Sequence, residues 1–479
     1  MANEKNEWGS NISFLLAMIG SAVGLGNIWR FPYVLYSNGG GAFMLPYFAA
    51  LIILGLPLML SEWNLGRYGG KYGHGTLGPM VYLQAREGAK PKTALILGAI
   101  AGGLAFAVTL LVNSYYNHLI GWTLGFAVSS FTGAYMDQSQ STADFFVGYI
   151  QDPKMVFTFW IIALLGLSFA VMRGVEKGIE AWAKVMMPVL YVFGIVLAIR
   201  SLTIGSPVNP EWSSLKGLNF IWNPDFSTLT WRSALAAAGQ IFFTLSIGIG
   251  AMLIFGSYME KDQRLFGEAV NITVLDTVVA LMAGFIIIPA CFAYGIEPGA
   301  GPSLIFITIP NIFAQVAGGR VWGGLFFLFL SFAAFTTLVA VFENIISFDM
   351  DLFGWSRKKS TLVSLILIII LSMPCVMGFN VLAGFTPLGE GSTIMDLEDF
   401  IVSNNLLPLG SLGYVLFCTK KNGWGWNSFL EEINQGEGWK FPAGIKGYMS
   451  YGLPLLIIII YLKGYYDKFQ PMGTKTLIG

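Results

Sequence analysis

The amino-acid sequence predicts an all-α integral membrane protein with about eleven transmembrane helices. Of the 479 residues, 55% are hydrophobic and only 11% are charged. A soluble globular chain carries about 25% charged residues, so the composition favours a membrane. About eleven apolar stretches have the roughly 17–25 residues needed to cross ~30 Å of hydrocarbon. The 58 glycines also suit close helix packing or interrupted helices in a membrane.

The apolar stretches set the order of the predicted transmembrane spans. The stretch around 302–316 contains Pro302 and Pro310 and is too short to cross, so we predict a loop helix there that dips toward the surface. Residues 1–465 are predicted to form a single transmembrane domain, and 466–479 a short C-terminal tail. Numbered 1 to 11, the predicted spans are 11–33, 40–65, 94–128, 156–172, 180–203, 232–258, 268–294, 321–349, 361–378, 397–418 and 447–465.

The charges between the spans predict an orientation. Cytoplasmic loops carry an excess of Lys and Arg, which places the N-terminus inside and the C-terminus outside. The charges of the 27 basic and 27 acidic residues cancel. The sequence therefore has no excess of positive charge that would indicate a nucleic-acid partner. We predict that 419–446 is an inside loop at the membrane interface. The basic residues predicted to lie inside include Arg67, Lys71, Arg86, Lys90, Lys92, Arg357, Lys358 and Lys359.

Nothing in the sequence indicates an enzyme. The three cysteines lie in apolar stretches, and two histidines are too few for a zinc triad. Neither a GxSxG nucleophile motif nor a phosphate-binding loop is found.

Two spans contain residues that interrupt a helix in mid-membrane. Span 1 has three glycines within Gly20–Asn27, and span 6 has small and hydroxyl residues within Phe243–Gly250. Unwound backbone at this depth survives only where it lines a cavity or is buried in protein. Interrupted spans that open each half of a chain are typical of inverted-repeat transporters. The alternative is close helix packing, since Gly20 and Gly24 form a GxxxG pair.

Several carboxylates lie within or at the ends of apolar spans and need partners. Asp276 in span 7 suits a sodium ion, which prefers oxygen ligands, and Thr336 and Thr337 in span 8 offer two hydroxyls. The alternative for both threonines is a bond to the preceding helical turn. Glu62 is predicted to accept hydrogen bonds from N–H groups freed by the breaks, and Glu343 also needs a partner.

A long string in the first two spans resembles the neurotransmitter:sodium symporters. It runs from Gly20 to Pro32 as GSAVGLGNIWRFP, and Asn38–Phe43 and Pro46–Tyr47 follow it. The resemblance continues through Glu62-Trp63, Tyr115-Tyr116, the Gly178-x9-Pro188 spacing and the Phe243–Gly250 break, and it ends near Asp399. It implies a five-plus-five inverted repeat of the bacterial eleven-helix branch, in the inner cell membrane, with an amino acid and two sodium ions bound between the spans.

The resemblance implies specific residues for each site. The first sodium would meet Ala22, Asn27, Thr244, Asp276 and the substrate carboxylate. The second would meet Gly20, Val23, Ala333, Thr336 and Thr337. The substrate would contact Ala22, Leu25, Gly26, Val112, Tyr116, Phe243, Thr244, Ser246, Ile249, Thr337 and Val341.

The resemblance also implies gates. Phe243 would act as a lid, and Gly178 and Pro188 would let span 5 unwind to admit water to the second sodium. The charged residues at each mouth have two interpretations. They either form an ion pair that makes and breaks as the gate closes and opens, or they are solvated charges at the membrane interface. The outer gate would comprise Arg30, Gln240 and Asp399, and the inner gate Lys5, Trp8 and Asp351.

Five positions depart from the family pattern, one of them Lys5, which replaces a usual Arg of the inner gate and removes its bidentate fork. Gly24 stands where amine transporters carry Asp, so we expect an amino acid that brings its own carboxylate. Asp276 replaces an Asn, and Ala280 replaces a Ser of chloride-dependent members, so chloride independence is expected. Ile249 replaces a common Phe, which leaves room for an aromatic or large aliphatic side chain. The alternative function is a membrane sensor that binds an amino acid without moving it.

Overall fold

The computed structural model describes residues 10–86, 90–136, 140–259, 263–299, 301–436 and 438–469. Within these ranges the chain is built from helices, and no β-strand occurs. Lys5 and Trp8, two of the predicted inner-gate residues, lie outside the described residues, as does 470–479 of the predicted tail.

Nine helices of the described chain are long and apolar enough to cross a membrane. Span 1 is a tenth crossing made of two pieces, Ile12–Ala22 and Gly26–Ser37, bent by 53°. Span 6 consists of Trp231–Thr244 and Ala251–Ser257, which we call 6a and 6b. The predicted all-helical membrane fold is therefore confirmed, with the breaks in spans 1 and 6. The other spans are Gly40–Gly70, Pro91–Thr132, Pro153–Met172, Val175–Leu202, Leu265–Tyr294, Gly319–Phe353, Arg357–Met377, Ile394–Thr419 and Ala443–Tyr466.

Several helices continue well beyond the apolar stretch that predicts them. Span 3 has 42 residues, which at 1.5 Å per residue is about 63 Å. It begins with Pro91 in its first turn and ends at Thr132, just before Gly133, whose φ is 79°. Proline is tolerated at a helix start, and a left-handed glycine is a common helix end, so local residues rather than hydrophobicity set these limits.

The breaks lie where glycine composition predicts them. In span 1 the α-helix stops after Ala22, and a π-helical turn over Gly26–Arg30 leads into the next piece. In span 6 the connection contains Ser246 at φ 50°, Gly248 at φ 87° and Gly250 at φ 89°. Positive φ is easy for glycine and costs about 1–2 kcal/mol for other residues. Ser246 is the one non-glycine residue with positive φ in the described chain.

The backbone of span 2 is in direct van der Waals contact with the backbone of the short helix 6b. A Cβ added to Gly66 would lie 2.0 Å from the Leu253 carbonyl oxygen, and one added to Gly70 would lie 2.0 Å from that of Ser257. Only glycine permits this approach of two backbones. The two helices therefore form one packed pair.

The two predicted non-spanning segments each contain a short helix packed against the bundle. The loop helix predicted at 302–316 is confirmed as the short helix Leu304–Gln315, and it packs against the bundle, because Phe306 is fully buried beside Trp122 and Phe327. The interval 419–446 contains a helix, Trp426–Ile433, which is held against span 2. Its Glu432 accepts from the buried Arg67 at 3.0 Å, and a sequence pattern does not reveal such a pairing of distant charges.

Span 5 keeps its helical turns near Gly178 in this conformation. The predicted unwinding near Gly178 is not present, because a π-helical turn over Val175–Glu180 runs directly into the α-helix Ala181–Leu202. Gly178 is packed so closely that an added Cβ would lie 2.0 Å from the Ala170 carbonyl oxygen. In this conformation the turn is held by span 4.

Candidate functional site

The unwound segments of spans 1 and 6 face each other at the centre of the helix bundle. The Leu25 N–H, freed by the break in span 1, donates to the Tyr116 hydroxyl of span 3 at 2.8 Å. Ser246 Oγ lies 3.5 Å from the Ala22 carbonyl. A Cβ on Gly26 would meet the Phe243 carbonyl oxygen at 2.6 Å. The structure thus brings together the main-chain groups that the sequence predicts around the substrate.

A buried cluster surrounds Asp276 of span 7. Asn27 Nδ2 donates to Asp276 Oδ1 at 2.9 Å, while Asn27 Oδ1 accepts from the Gly24 N–H at 3.1 Å. Asp276, Asn27 and Thr244 are all fully buried. Asp276 Oδ2 has no hydrogen-bond partner among the described residues. A buried carboxylate with a bare oxygen is costly alone and fits a cation.

A second cluster of oxygen atoms lies where spans 1 and 8 meet. Thr337 Oγ1 is 3.0 Å from the Val23 carbonyl, 3.2 Å from that of Ala333 and 3.4 Å from that of Gly20. One hydroxyl proton serves only one of these three acceptors. Thr336 Oγ1 donates to the carbonyls of Phe332 and Ala333 in its own helix, which is the bond to the preceding helical turn given above as the alternative. The Thr336 Cβ would lie 3.0 Å from a Cβ added to Gly20. The excess of acceptors suits a hard cation.

These clusters are oxygen sites rather than transition-metal sites. Across the described ranges, no group of three or more His, Cys, Asp or Glu side chains is placed to hold a metal ion. Carbonyl, hydroxyl and amide oxygens with one carboxylate are instead the ligands that suit sodium.

Three residues predicted to contact the substrate side chain are apolar and buried. Val112, Ile249 and Val341 are buried, and Asn344 Nδ2 lies 3.5 Å from the Ile249 carbonyl at the break in span 6. Above this region lies a cavity of about 730 Å³, which we call the vestibule. Its floor includes Leu25, Gly26, Tyr116 and Phe243, and its walls include Arg30 and Asp399.

Arg30 and Gln240 contact the lid region instead of Asp399. The Arg30 guanidinium lies 3.6 Å from the centre of the Phe243 ring. Gln240 Nε2 donates to the Gly26 carbonyl at 2.8 Å and to Thr244 Oγ1 at 3.1 Å. In the described chain no ion pair within 4 Å joins Arg30 to Asp399, and Asp399 accepts from Ser403 at 2.7 Å.

At the opposite end of the bundle, Asp351 accepts from the Gly75 N–H and from Thr76 Oγ1, each at 3.0 Å. The structure also gives Glu343 a partner that the sequence did not reveal. Arg357 binds both of its carboxylate oxygens, at 2.6 and 2.7 Å, and the Tyr258 hydroxyl donates to it at 2.7 Å. Arg357 appears in the sequence only as one of several basic loop residues, so no local signal identified this pair.

Glu62 supports the break in span 6. Its Oε2 accepts from the Gly248 N–H at 2.9 Å, and the side chain is fully buried. The prediction that Glu62 accepts a hydrogen bond from freed backbone is confirmed.

Comparison with known proteins gives consistent matches along the whole chain. The profile of the sodium:neurotransmitter symporter family matches residues 5–145 and 146–473. The uncharacterized sodium-dependent transporter YhdH of Bacillus subtilis is 34% identical over 459 residues, 95% of this chain and 97% of its own. An uncharacterized sodium-dependent transporter of Haemophilus influenzae is 30% identical over 468 residues, 96% of this chain and 98% of its own. The crystal structure of MhsT in complex with L-phenylalanine is 35% identical, with a TM-score of 0.80, and covers 96% of this chain and 99% of that chain.

Proposed function

The chain belongs to the sodium:neurotransmitter symporter family, and from that premise we propose that it couples sodium to the uptake of a hydrophobic L-amino acid. The observation that carries the proposal is the arrangement around the break in span 1. Main-chain N–H and carbonyl groups, a buried carboxylate and the Tyr116 hydroxyl converge there. Half-helix ends of this kind bind the carboxylate of a substrate and its coupling cation.

Gly24 supports an amino acid rather than an amine. A Cβ at this position would lie 2.8 Å from Thr337 Oγ1 and 2.9 Å from the Tyr116 hydroxyl. Even a methyl group is crowded there, so an acidic side chain has no room in this conformation. Because the protein supplies no carboxylate at that point, the substrate carboxylate completes the shell of the first sodium.

The predicted pocket supports a bulky apolar side chain. The residues proposed to line it, Val112, Ile249 and Val341, are apolar and buried, and Phe243 lines the vestibule. MhsT, a relative of known structure, was solved in complex with L-phenylalanine. We therefore propose aromatic and large aliphatic amino acids as substrates.

We propose two sodium ions as co-substrates. The first would be held by the Ala22 carbonyl, Asn27, Thr244 and Asp276, and the second by Thr337 and the four residues predicted with it. Sodium and the substrate carboxylate share the first site, so each raises the affinity of the other by the same factor. The vestibule would face outside, and the opposite mouth would face the cytoplasm, with the N-terminus inside.

Transport then follows from closing one mouth and opening the other. Arg30 and Gln240 would seal the vestibule when Phe243 moves over the bound substrate and Arg30 reaches Asp399. At the opposite end Asp351 and the predicted partners Lys5 and Trp8 would separate. Movement of the broken spans 1 and 6 would expose the two sodium ions and the substrate to the cytoplasm.

The test is uptake into proteoliposomes. We expect labelled L-phenylalanine and L-leucine to accumulate under an inward sodium gradient and not under an equal potassium gradient. Phenethylamine, which is phenylalanine without its carboxylate, should not compete. Binding without accumulation in tight vesicles would favour the amino-acid sensor, and equal competition by phenethylamine would contradict the role of the substrate carboxylate.

Asp276 also supports chloride independence. Its carboxylate is a fixed negative charge beside the first sodium, and Ala280, fully buried one turn away, offers no hydroxyl for an anion. We expect uptake to be the same in chloride and in gluconate. The double variant Asp276→Asn with Ala280→Ser should take up substrate only in chloride. Its matched control is Ala280→Ser alone, which should stay chloride-independent.

A further inference from the structure

Glu398 is a carboxylate that the proposed transport mechanism does not use. It lies on span 10 next to Asp399, but it contacts spans 3 and 9 instead of the gate residues. Its Oε1 is 3.1 Å from Ser114 Oγ, which is itself 2.9 Å from the Leu371 carbonyl oxygen. Its Oε2 is inaccessible to solvent and has no hydrogen-bond partner in the described part of the chain.

The hydrogen bonds favour a proton on this carboxyl. Ser114 has one hydroxyl proton but lies between two acceptors. If the hydroxyl donates to the Leu371 carbonyl, its contact with Glu398 requires that the carboxyl donate. If it donates to Glu398, a charged carboxylate would still rest on neutral groups alone, the Ser114 hydroxyl and the weakly donating Cys375 thiol beside it, which is unfavourable in the membrane.

No positive charge compensates Glu398. In the described ranges, no Lys, Arg or His nitrogen lies within 4 Å of its oxygens. From span 9, the buried Cys375 thiol lies beside it. From span 3, the nearby titratable groups are His118, whose Nδ1 is 3.6 Å from Cys375 Sγ, and Tyr115, which faces Asp399. On span 10 itself, Asp396 binds Thr393 and Asp399 binds Ser403.

We propose that Glu398 is a proton-binding site that links the position of span 10 to the pH of the vestibule. Its carboxyl carries a proton while the segment Ile394–Ile401 is docked on spans 3 and 9. When the segment moves away, the carboxyl loses this proton to the vestibule, which its neighbours Asp396 and Asp399 already line. The part of this inference that concerns transport rests on the proposed function; the protonation of Glu398 does not.

The direction of the effect follows from linkage. The docked form binds one more proton than the undocked form, so a rising pH removes the docked form, by at most about tenfold per pH unit. In the docked form seen here, Asp399 binds Ser403 and does not pair with Arg30. A higher pH in the vestibule therefore favours closure, and uptake should rise with external pH until Glu398 is ionised in both forms.

Infrared spectroscopy of the purified protein in lipid bilayers tests the protonation directly. The spectrum of the wild type minus that of Glu398→Gln should contain one carboxylic-acid C=O band, which disappears as the pH is raised. Gln keeps an N–H donor at this position, so the variant preserves the hydrogen bonds. The control is Glu211→Gln, because Glu211 is exposed and paired with the exposed Lys216; its difference spectrum should lack that band. Absence of an acid band for Glu398 would overturn the proposal.

The second readout is the external pH dependence of sodium-driven L-phenylalanine uptake. We expect a rising profile for the wild type and Glu211→Gln, and a flat profile at the low-pH level for Glu398→Gln. Identical profiles in wild type and Glu398→Gln would overturn the link to span 10. Failure of the wild type to take up phenylalanine would refute the proposed substrate, while the infrared band would still decide whether Glu398 binds a proton.

Discussion

Replacement of Thr337 by Val should weaken sodium binding and leave the fold intact. Valine has nearly the same shape as threonine, but it lacks the hydroxyl that lies within 3.0–3.4 Å of three carbonyl oxygens. The proposed second sodium would lose one of five ligands. A polar contact with an ion is worth about 1.5–3 kcal/mol, and about 1.4 kcal/mol corresponds to a factor of ten. The sodium affinity of this site should therefore fall by roughly 10- to 150-fold.

Thermal unfolding measures this loss without any substrate. At a sodium concentration of roughly 100 times its dissociation constant, binding at one site stabilises the folded protein by about 2.7 kcal/mol. A hundredfold weaker site would contribute only about 0.4 kcal/mol at the same concentration. The measurement is the difference in unfolding midpoint between sodium and potassium chloride of equal ionic strength.

Thr337→Ser is the matched control, because it keeps the hydroxyl and removes only a methyl group. We expect it to keep most of the sodium-dependent shift. If Thr337→Val retained the full wild-type shift, the oxygen cluster would not bind sodium. If both variants lost it equally, the methyl packing rather than the hydroxyl would be responsible.

Two further variants test how the breaks are held. Gly66→Ala would place a Cβ 2.0 Å from the Leu253 carbonyl oxygen, and overpacking of this kind costs about 1–3 kcal/mol or more. The control is Gly103→Ala, which adds a Cβ with nothing within 4 Å. The unfolding midpoint of Gly66→Ala should therefore fall well below that of Gly103→Ala. Equal midpoints would contradict the close packing of span 2 on 6b. Glu62→Ala removes the acceptor of the buried Gly248 N–H, which should cost about 1–3 kcal/mol of stability. Glu62→Gln keeps an acceptor and should lose less stability. The opposite order of unfolding midpoints would refute the role of Glu62 in supporting the break in span 6.

The breaks and the oxygen clusters were predictable because their causes are local. Glycine lowers helix stability wherever it occurs, so Gly24 and Gly26 reveal the break in span 1 without knowledge of the partner helix. Asp276 is conspicuous because a carboxylate in an apolar stretch needs a partner. The resemblance to the symporter family then supplied which distant residues would complete each site.

The features that the sequence did not reveal have a common physical reason, because each depends on contacts between distant parts of the chain. Nothing in the order of residues shows that Arg357 faces Glu343 or that Arg67 faces Glu432. Phe306 lies in a segment too short to cross the membrane, so hydrophobicity alone did not reveal that it is buried. The position of Arg30 over Phe243, instead of beside Asp399, depends on the conformation that the molecule adopts.

Helix 6b is buried, but its packing against span 2 allows its displacement to be followed from the surface. Helix 6b has seven residues, about 10 Å of helix, and six of them are buried. Its backbone contacts span 2 at Gly66 and Gly70 without intervening side chains, so the pair is expected to shift as one body. Tyr72 follows directly on the end of span 2 and is 55% exposed. A fluorescent or spin label at Tyr72 should therefore report, from the surface, the displacement of the buried helix during each transport cycle.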